Sequence, residues 1–119
     1  MKNFELKIND RTYKVSGFTY RAMRMLSRKW QLKTINAVEK EIERISRNLG
    51  KKDLSFDDLD KFGDLLQAVI VIDNPEFEMT NVELMEYAMS DDGFMKQFLA
   101  IFNESVEIAA KKKEVENKK

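Results

Sequence analysis

The amino-acid sequence predicts an α+β fold: an N-terminal antiparallel β-hairpin packed against about five α-helices. Three observations lead there. Residues 4–15 alternate apolar and polar side chains around a central Asn9-Asp10. From residue 18 onward the apolar positions change to helical spacing, in segments that open on Thr19, Thr34, Ser55, Thr80 or Ser90-Asp91. A chain of 119 residues with 43% hydrophobic content is sized for one domain with a single modest core. The domain is expected over 1–110, with 111–119 as a flexible charged tail.

In the hairpin, a two-residue turn at Asn9-Asp10 pairs Ile8 with Arg11, Leu6 with Tyr13 and Phe4 with Val15. Asn and Asp tolerate the positive φ that such a turn needs. Phe4, Leu6, Tyr13 and Val15 then share one face, while Glu5, Lys7, Thr12 and Lys14 share the other. Two strands alone bury too little to be stable in water. Helices one and three are therefore the expected cover for the apolar face.

Ser16-Gly17 breaks the second strand, and Thr19 caps a first helix running from Tyr20 to Lys29 or Trp30. Phe18, Ala22, Met25, Leu26 and Trp30 make its apolar stripe, with Arg21, Arg24 and Arg28 on the opposing ridge. A second helix runs from Ile35 to Leu49, capped by Thr34 and closed by Gly50. Its apolar positions 35, 38, 42, 45 and 49 form a thin seam that predicts a single neighbour.

Ser55 caps a third helix, with Asp58 placed as a capping-box acid and Leu54 and Leu59 as the staple. This helix carries Leu59, Phe62, Leu65, Leu66, Val69, Ile70 and Ile72, the densest apolar segment, and stops at Asp73-Asn74-Pro75. Thr80 and Glu83 form a second capping box, with Met79 and Leu84 as staple, for a short fourth helix ending near Met89. Ser90-Asp91-Asp92 opens a fifth, from about Gly93 to Lys111.

Composition narrows the chemistry. With no Cys there is no disulfide framework and no thiol nucleophile, and an intracellular location is expected. With no His, the commonest general base and metal ligand is missing as well. No apolar run approaches a membrane span, and the polar residues from Lys2 to Arg11 do not resemble a signal peptide. The acidic stretch from Asp53 to Asp64 fails as a calcium loop: counted from Asp58, the fifth and twelfth positions are Phe62 and Val69 rather than oxygen ligands. Asp57, Asp60 and Asp64 share a helical face that could weakly hold a hard cation, but capping and a solvated first turn favoured by the helix dipole are the preferred reading. The four glycines stand apart, so no phosphate loop is present. The expectation is a protein that is not an enzyme and binds no cofactor or metal.

Net charge is zero but divided. Residues 1–52 carry 14 Lys/Arg against 5 Asp/Glu, a balance of +9. Residues 53–110 carry 2 against 14, a balance of −12, and the last nine residues are +3. The split serves nucleic-acid binding, head-to-tail self-association or neutralisation within one fold. Arg21, Arg24 and Arg28, with Tyr20 and Trp30 beside them, are the nucleic-acid candidates; the plainer alternative is a solvated helix face. The acidic half, which repels phosphate, weighs against nucleic acid. In helix five, Phe94, Met95, Phe98, Leu99, Ile101, Phe102, Val106 and Ile108 spread almost all round. This helix is either central to the core or a client or self-association surface around Met95, Leu99, Phe102 and Val106. On the second view the chain is a homo-oligomer.

The layout as a whole resembles a known family. A hairpin "FELKINDRTYKV" leads into "GFTYRAMRMLSRKW", followed by a basic helix, an acidic-capped apolar helix, and "TNVELMEY" opening a closing helical pair. Over about residues 4 to 110 this is similar to the tail assembly chaperones of long-tailed, siphovirus-type phages and prophages of Gram-positive bacteria. The resemblance implies a non-enzymatic protein that binds the tape measure protein, a long and largely helical chain. It would keep that client soluble and help recruit tail tube subunits, acting in the host cytoplasm and leaving no copy in the finished particle. The alternative is a small nucleic-acid-binding regulatory protein using the basic N-terminal half.

Overall fold

The computed structural model describes residues 4–49 and 54–101. It is an α+β fold: strands β1 (Phe4–Ile8) and β2 (Arg11–Val15), then helices α1 (Tyr20–Trp30), α2 (Ile35–Asn48), α3 (Phe56–Asp73), α4 (Asn81–Ser90) and α5, described over 92–101. The hairpin register is the expected one, with Phe4 opposite Val15, Leu6 opposite Tyr13 and Ile8 opposite Arg11. Positive φ falls on Asn9 (55°) and not on Asp10. Leu6, Ile8 and Val15 are buried on the covered face.

Helix starts follow their caps. The side chains of Thr19, Thr34, Ser55 and Thr80 accept from the backbone N–H of Ala22, Ala37, Asp58 and Glu83. At α4 the box closes, since Glu83 returns a bond to the Thr80 N–H. At α3 the expected acid, Asp58, directs its carboxylate across to α2 instead.

α3 is the axis of the fold. Phe62 to Leu66 and Ala68 to Ile70 are all buried, and α3 packs against α1, α2, α4 and β2. Against α4 the approach is close enough to require glycine: a Cβ on Gly63 would lie 2.6 Å from the Asn81 carbonyl oxygen.

Two expectations about packing are corrected. α1 does not cover the hairpin: it lies on α3 and α2, and no Cα of α1 comes within 8 Å of either strand. α3 packs closely on the hairpin, against β2, and polar side chains of α4, α5 and the end of α3 bind the strand edges. Lys7 N–H, which points away from β2, donates to Gln97 Oε1 (3.2 Å), and Asn9 N–H donates to the Tyr87 hydroxyl (2.9 Å). On the other edge, Asn74 Nδ2 donates to the Lys14 carbonyl (3.0 Å) and Asp73 accepts from Ser16 N–H (2.8 Å). Edge groups satisfied in this way no longer invite another strand.

α2, expected to touch one neighbour, touches both α1 and α3. Its stripe is thin as predicted, with Val38, Ile42 and Ile45 buried. A polar clamp makes the second contact: Arg44 Nη2 pairs with Asp58 Oδ1 at 2.7 Å, and Asn48 Nδ2 donates to Asp58 Oδ2 at 3.0 Å.

α5 presents a core face rather than an all-round apolar surface over its described length. Phe94, Phe98 and Ile101 are buried, while Lys96 and Gln97 are exposed. Phe98 meets Phe62 edge to face (5.5 Å between ring centres), and Phe94 meets Tyr87 likewise (5.1 Å).

Candidate functional site

A concavity lined by described residues runs along α1. It is an open groove of about 580 Å³ between α1 and α3. Met25, Leu26 and Ile72 supply its apolar floor, Arg21, Arg24, Arg28 and Lys29 its basic rim, and Asp64 and Gln67 its α3 wall. The sequence dictates this edge. Positions 21, 24 and 28 recur at helical spacing opposite the buried Ala22 and Leu26, so the three guanidinium groups stand on the outer side of α1. Met25, assigned to the buried stripe from its spacing, is instead 36% exposed on the groove floor, while Met23 packs against the core.

The rim is electrostatically open. Among the described residues, Arg21, Arg24 and Arg28 pair with no carboxylate; Arg24 Nη1 reaches only Ser27 Oγ (3.4 Å). Lys29 differs, since its Nζ lies 3.1 Å from Asp64 Oδ1 and 3.2 Å from Gln67 Oε1.

Asp64 is the polar anchor beneath the groove. Although it is buried, its oxygens accept from Trp30 Nε1 (3.1 Å) and Asn81 Nδ2 (2.9 Å) as well as from Lys29, tying α1, α3 and α4 together. A buried carboxylate that is paired and hydrogen-bonded on both oxygens is a structural group rather than an acid–base candidate. Asp57 and Asp60, by contrast, point to solvent. Among the described residues there is no group of three or more His, Cys, Asp or Glu placed to hold a metal ion. Nor is any helix there long and apolar enough to cross a membrane.

Among the described residues, Asp58 is the one carboxylate with a resolved shift: its hydrogen bond from the Arg44 guanidinium, opposed by burial, holds its pKa below the usual carboxylate value. The same bond raises Arg44. This clamp is remote from the groove and locks α2 to the start of α3.

The helix-five candidates fare differently. Met95 and Leu99 are half-buried, Met95 packing against the core and Leu99 entering the seam lined by Ile42, Ile45 and Leu49 of α2. Phe102 and Val106 lie outside the described residues. Among the described residues, the large apolar side chains that stand exposed are Tyr20 (67%), Ile35, Phe56, Val82 and Met89 (72%), besides Met25. Isolated methionines and valines on polar helix faces carry no periodic signal, so spacing alone does not reveal them.

Comparison with protein-family models, with curated proteins and with solved structures finds no match to this chain.

Proposed function

We propose that this chain is a non-enzymatic assembly chaperone of the phage-tail type. It binds the tape measure protein in the host cytoplasm, keeps that client soluble, helps recruit tail tube protein, and is left out of the finished particle. The observation that carries the reading is the α1 groove. An apolar floor of Met25, Leu26 and Ile72 between an arginine rim two helical turns long and a polar wall suits the stripe of an amphipathic helix, as in helix-in-groove recognition. The residue-type layout over about residues 4 to 110 supports the same reading.

The test is co-expression with the tape measure protein encoded nearby. A soluble complex that is lost when Met25 is replaced by Glu is the expected result. A client that stays insoluble, with no complex eluting, refutes the proposal.

A second reading is favoured by one observation. Three guanidinium groups without carboxylate partners among the described residues line one ridge next to the exposed Tyr20, an arrangement that suits a single nucleic-acid strand. Asp64 at the groove wall disfavours phosphate there. A small nucleic-acid-binding regulator requires a DNA or RNA mobility shift that weakens steeply with salt and with Arg21, Arg24 and Arg28 neutralised. The absence of any shift at low salt removes it.

A further inference from the structure

A second depression, of about 130 Å³, opens on the other flank of α1, against the start of α2. Met23 and Val38 line it, and folding accounts for both, since Val38 is buried and Met23 packs against the core. Tyr20 and Ile35 also line it, yet they stand 67% and 52% exposed. Each is the first residue of its helix, directly after a Thr cap. An acid at that position would complement the helix dipole, so two large apolar side chains there serve something other than stability.

Tyr20 and Arg24 line both this notch and the α1 groove. The two depressions therefore flank a crest one helical turn long, with Ile35 and Val38 on the notch side and Met25 and Ile72 on the groove side. Charge on this surface has one sign. Arg21, Arg24, Arg28 and Lys33 pair with no carboxylate among the described residues. Asp64, the one carboxylate among the residues lining either depression, is already bonded to Lys29, Trp30 and Asn81.

We infer that this double depression selects an acidic amphipathic segment of a partner protein. One large apolar side chain of that segment enters the notch and a second reaches the groove floor. Asp or Glu residues beside them pair with Arg21, Arg24, Arg28 and Lys33. The chemistry favours protein over a nucleic-acid strand. Strand binding uses successive aromatic platforms as well as cations, and Tyr20 is the one aromatic lining either depression. Trp30, the nearest alternative, is half-buried and held by its bond to Asp64. The inference deepens the chaperone reading by giving the client's segment its charge, and rests on that reading only for the partner's identity.

The experiment is fluorescence anisotropy with the full chain and labelled helical probe peptides. The first probe carries a leucine stripe flanked by glutamates. The second replaces the glutamates by lysines, and the third replaces the leucines by alanines. The glutamate probe should bind about tenfold more tightly than either of the others, and less tightly as salt rises. Ile35→Ser, which leaves every charge in place, should weaken that binding several-fold, and so should Arg24→Glu combined with Lys33→Glu. Met89→Ser, on α4, should leave it unchanged. Circular dichroism checks that each variant keeps its fold.

Equal binding of the lysine or the alanine probe overturns the inference. So does the absence of binding, or an Ile35→Ser variant that binds as the wild type does. A single-stranded oligonucleotide that displaces the glutamate probe and binds more tightly gives the surface to nucleic acid, and self-association that excludes the probe gives it to a second copy; either result overturns the inference. Co-expression with the client is read separately. A glutamate probe that binds while the client stays insoluble sinks the chaperone reading alone, and a soluble client complex without probe binding sinks this inference alone.

Discussion

α1 and α3 lie side by side and are built on opposite plans. α3 buries side chains on almost every side, from Phe62 through Ile70, and touches four helices and a strand. α1 buries only Ala22, Leu26 and Ser27, half-buries Met23 and Trp30 against the core, and gives its outer side to arginines, Tyr20 and Met25. Because one helix supplies most of the core, its neighbour needs only a narrow stripe to stay docked. The outer face of α1 is thereby released from folding and left open to selection for partners. The contrast separates residues whose loss unfolds the chain from residues whose loss is felt only by what binds it.

The most severe way to break the contrast is at the centre of α3. Phe62→Ala removes a fully buried ring packed on Phe98 and should cost about 3–5 kcal/mol in chemical denaturation. A loss below about 1 kcal/mol would show that α3 is not the axis described here.

Gly63→Ala comes next. Its new Cβ meets the Asn81 backbone oxygen, which cannot swing aside as a flexible side chain would, so about 2 kcal/mol of destabilisation is expected from overpacking. Thermal melts that match the wild type would mean that α4 can shift freely on α3.

Asp58→Asn tests the α2 clamp and should cost about 1–2 kcal/mol, since Asp58 is buried but Arg44 keeps water on its outer side. The pH dependence has a definite sign. A carboxylate whose folded pKa lies below its unfolded value stabilises the fold above about pH 4, and that contribution is lost as pH falls through the folded value. The variant should lack this part of the acid-induced loss of stability. An unchanged acid profile would refute the role given to Asp58.

The smallest effect sharpens the contrast most. Replacing Arg21, Arg24 and Arg28 together by Ala should move stability by no more than about 0.5 kcal/mol, while weakening the complex with a co-expressed helical client. A destabilisation comparable with Phe62→Ala would erase the division between the two helices.

Local features of the fold were legible in the sequence. Alternation on either side of Asn9-Asp10 is enough to set the register, because a slip of one residue would turn every apolar side chain to solvent. The helix starts were equally readable, since Thr19, Thr34, Ser55 and Thr80 act on N–H groups within three residues of themselves. What lay beyond reach was the choice of partner. The apolar stripe of α1 shows that the helix must dock, but nothing in its periodicity distinguishes the hairpin from α3.

The bonds of Asp58 to Arg44 and of Asp64 to Trp30 and Asn81 join different helices, and no local pattern announces such pairs. Of the candidate site, the arginine ridge was visible at its spacing. The groove was not, because Ile72, Asp64 and Gln67 come to it from a helix about forty residues further along. In α5 the apolar content left a core helix and a free surface both open, and the described residues turn most of it inward.

The strand-edge bonds have a consequence for the growing chain. The first strand is tied to Gln97 across 90 residues and the turn to Tyr87 across 78. A hairpin of this size forms in roughly 1–10 μs, whereas ribosomal synthesis at roughly 5–20 residues per second needs about 5–18 s to deliver those partners. Through that interval the two strands, too small to persist alone, form and dissolve many thousands of times with Leu6, Ile8 and Val15 uncovered. Native structure at the start of the chain is therefore gated by translation of its other end.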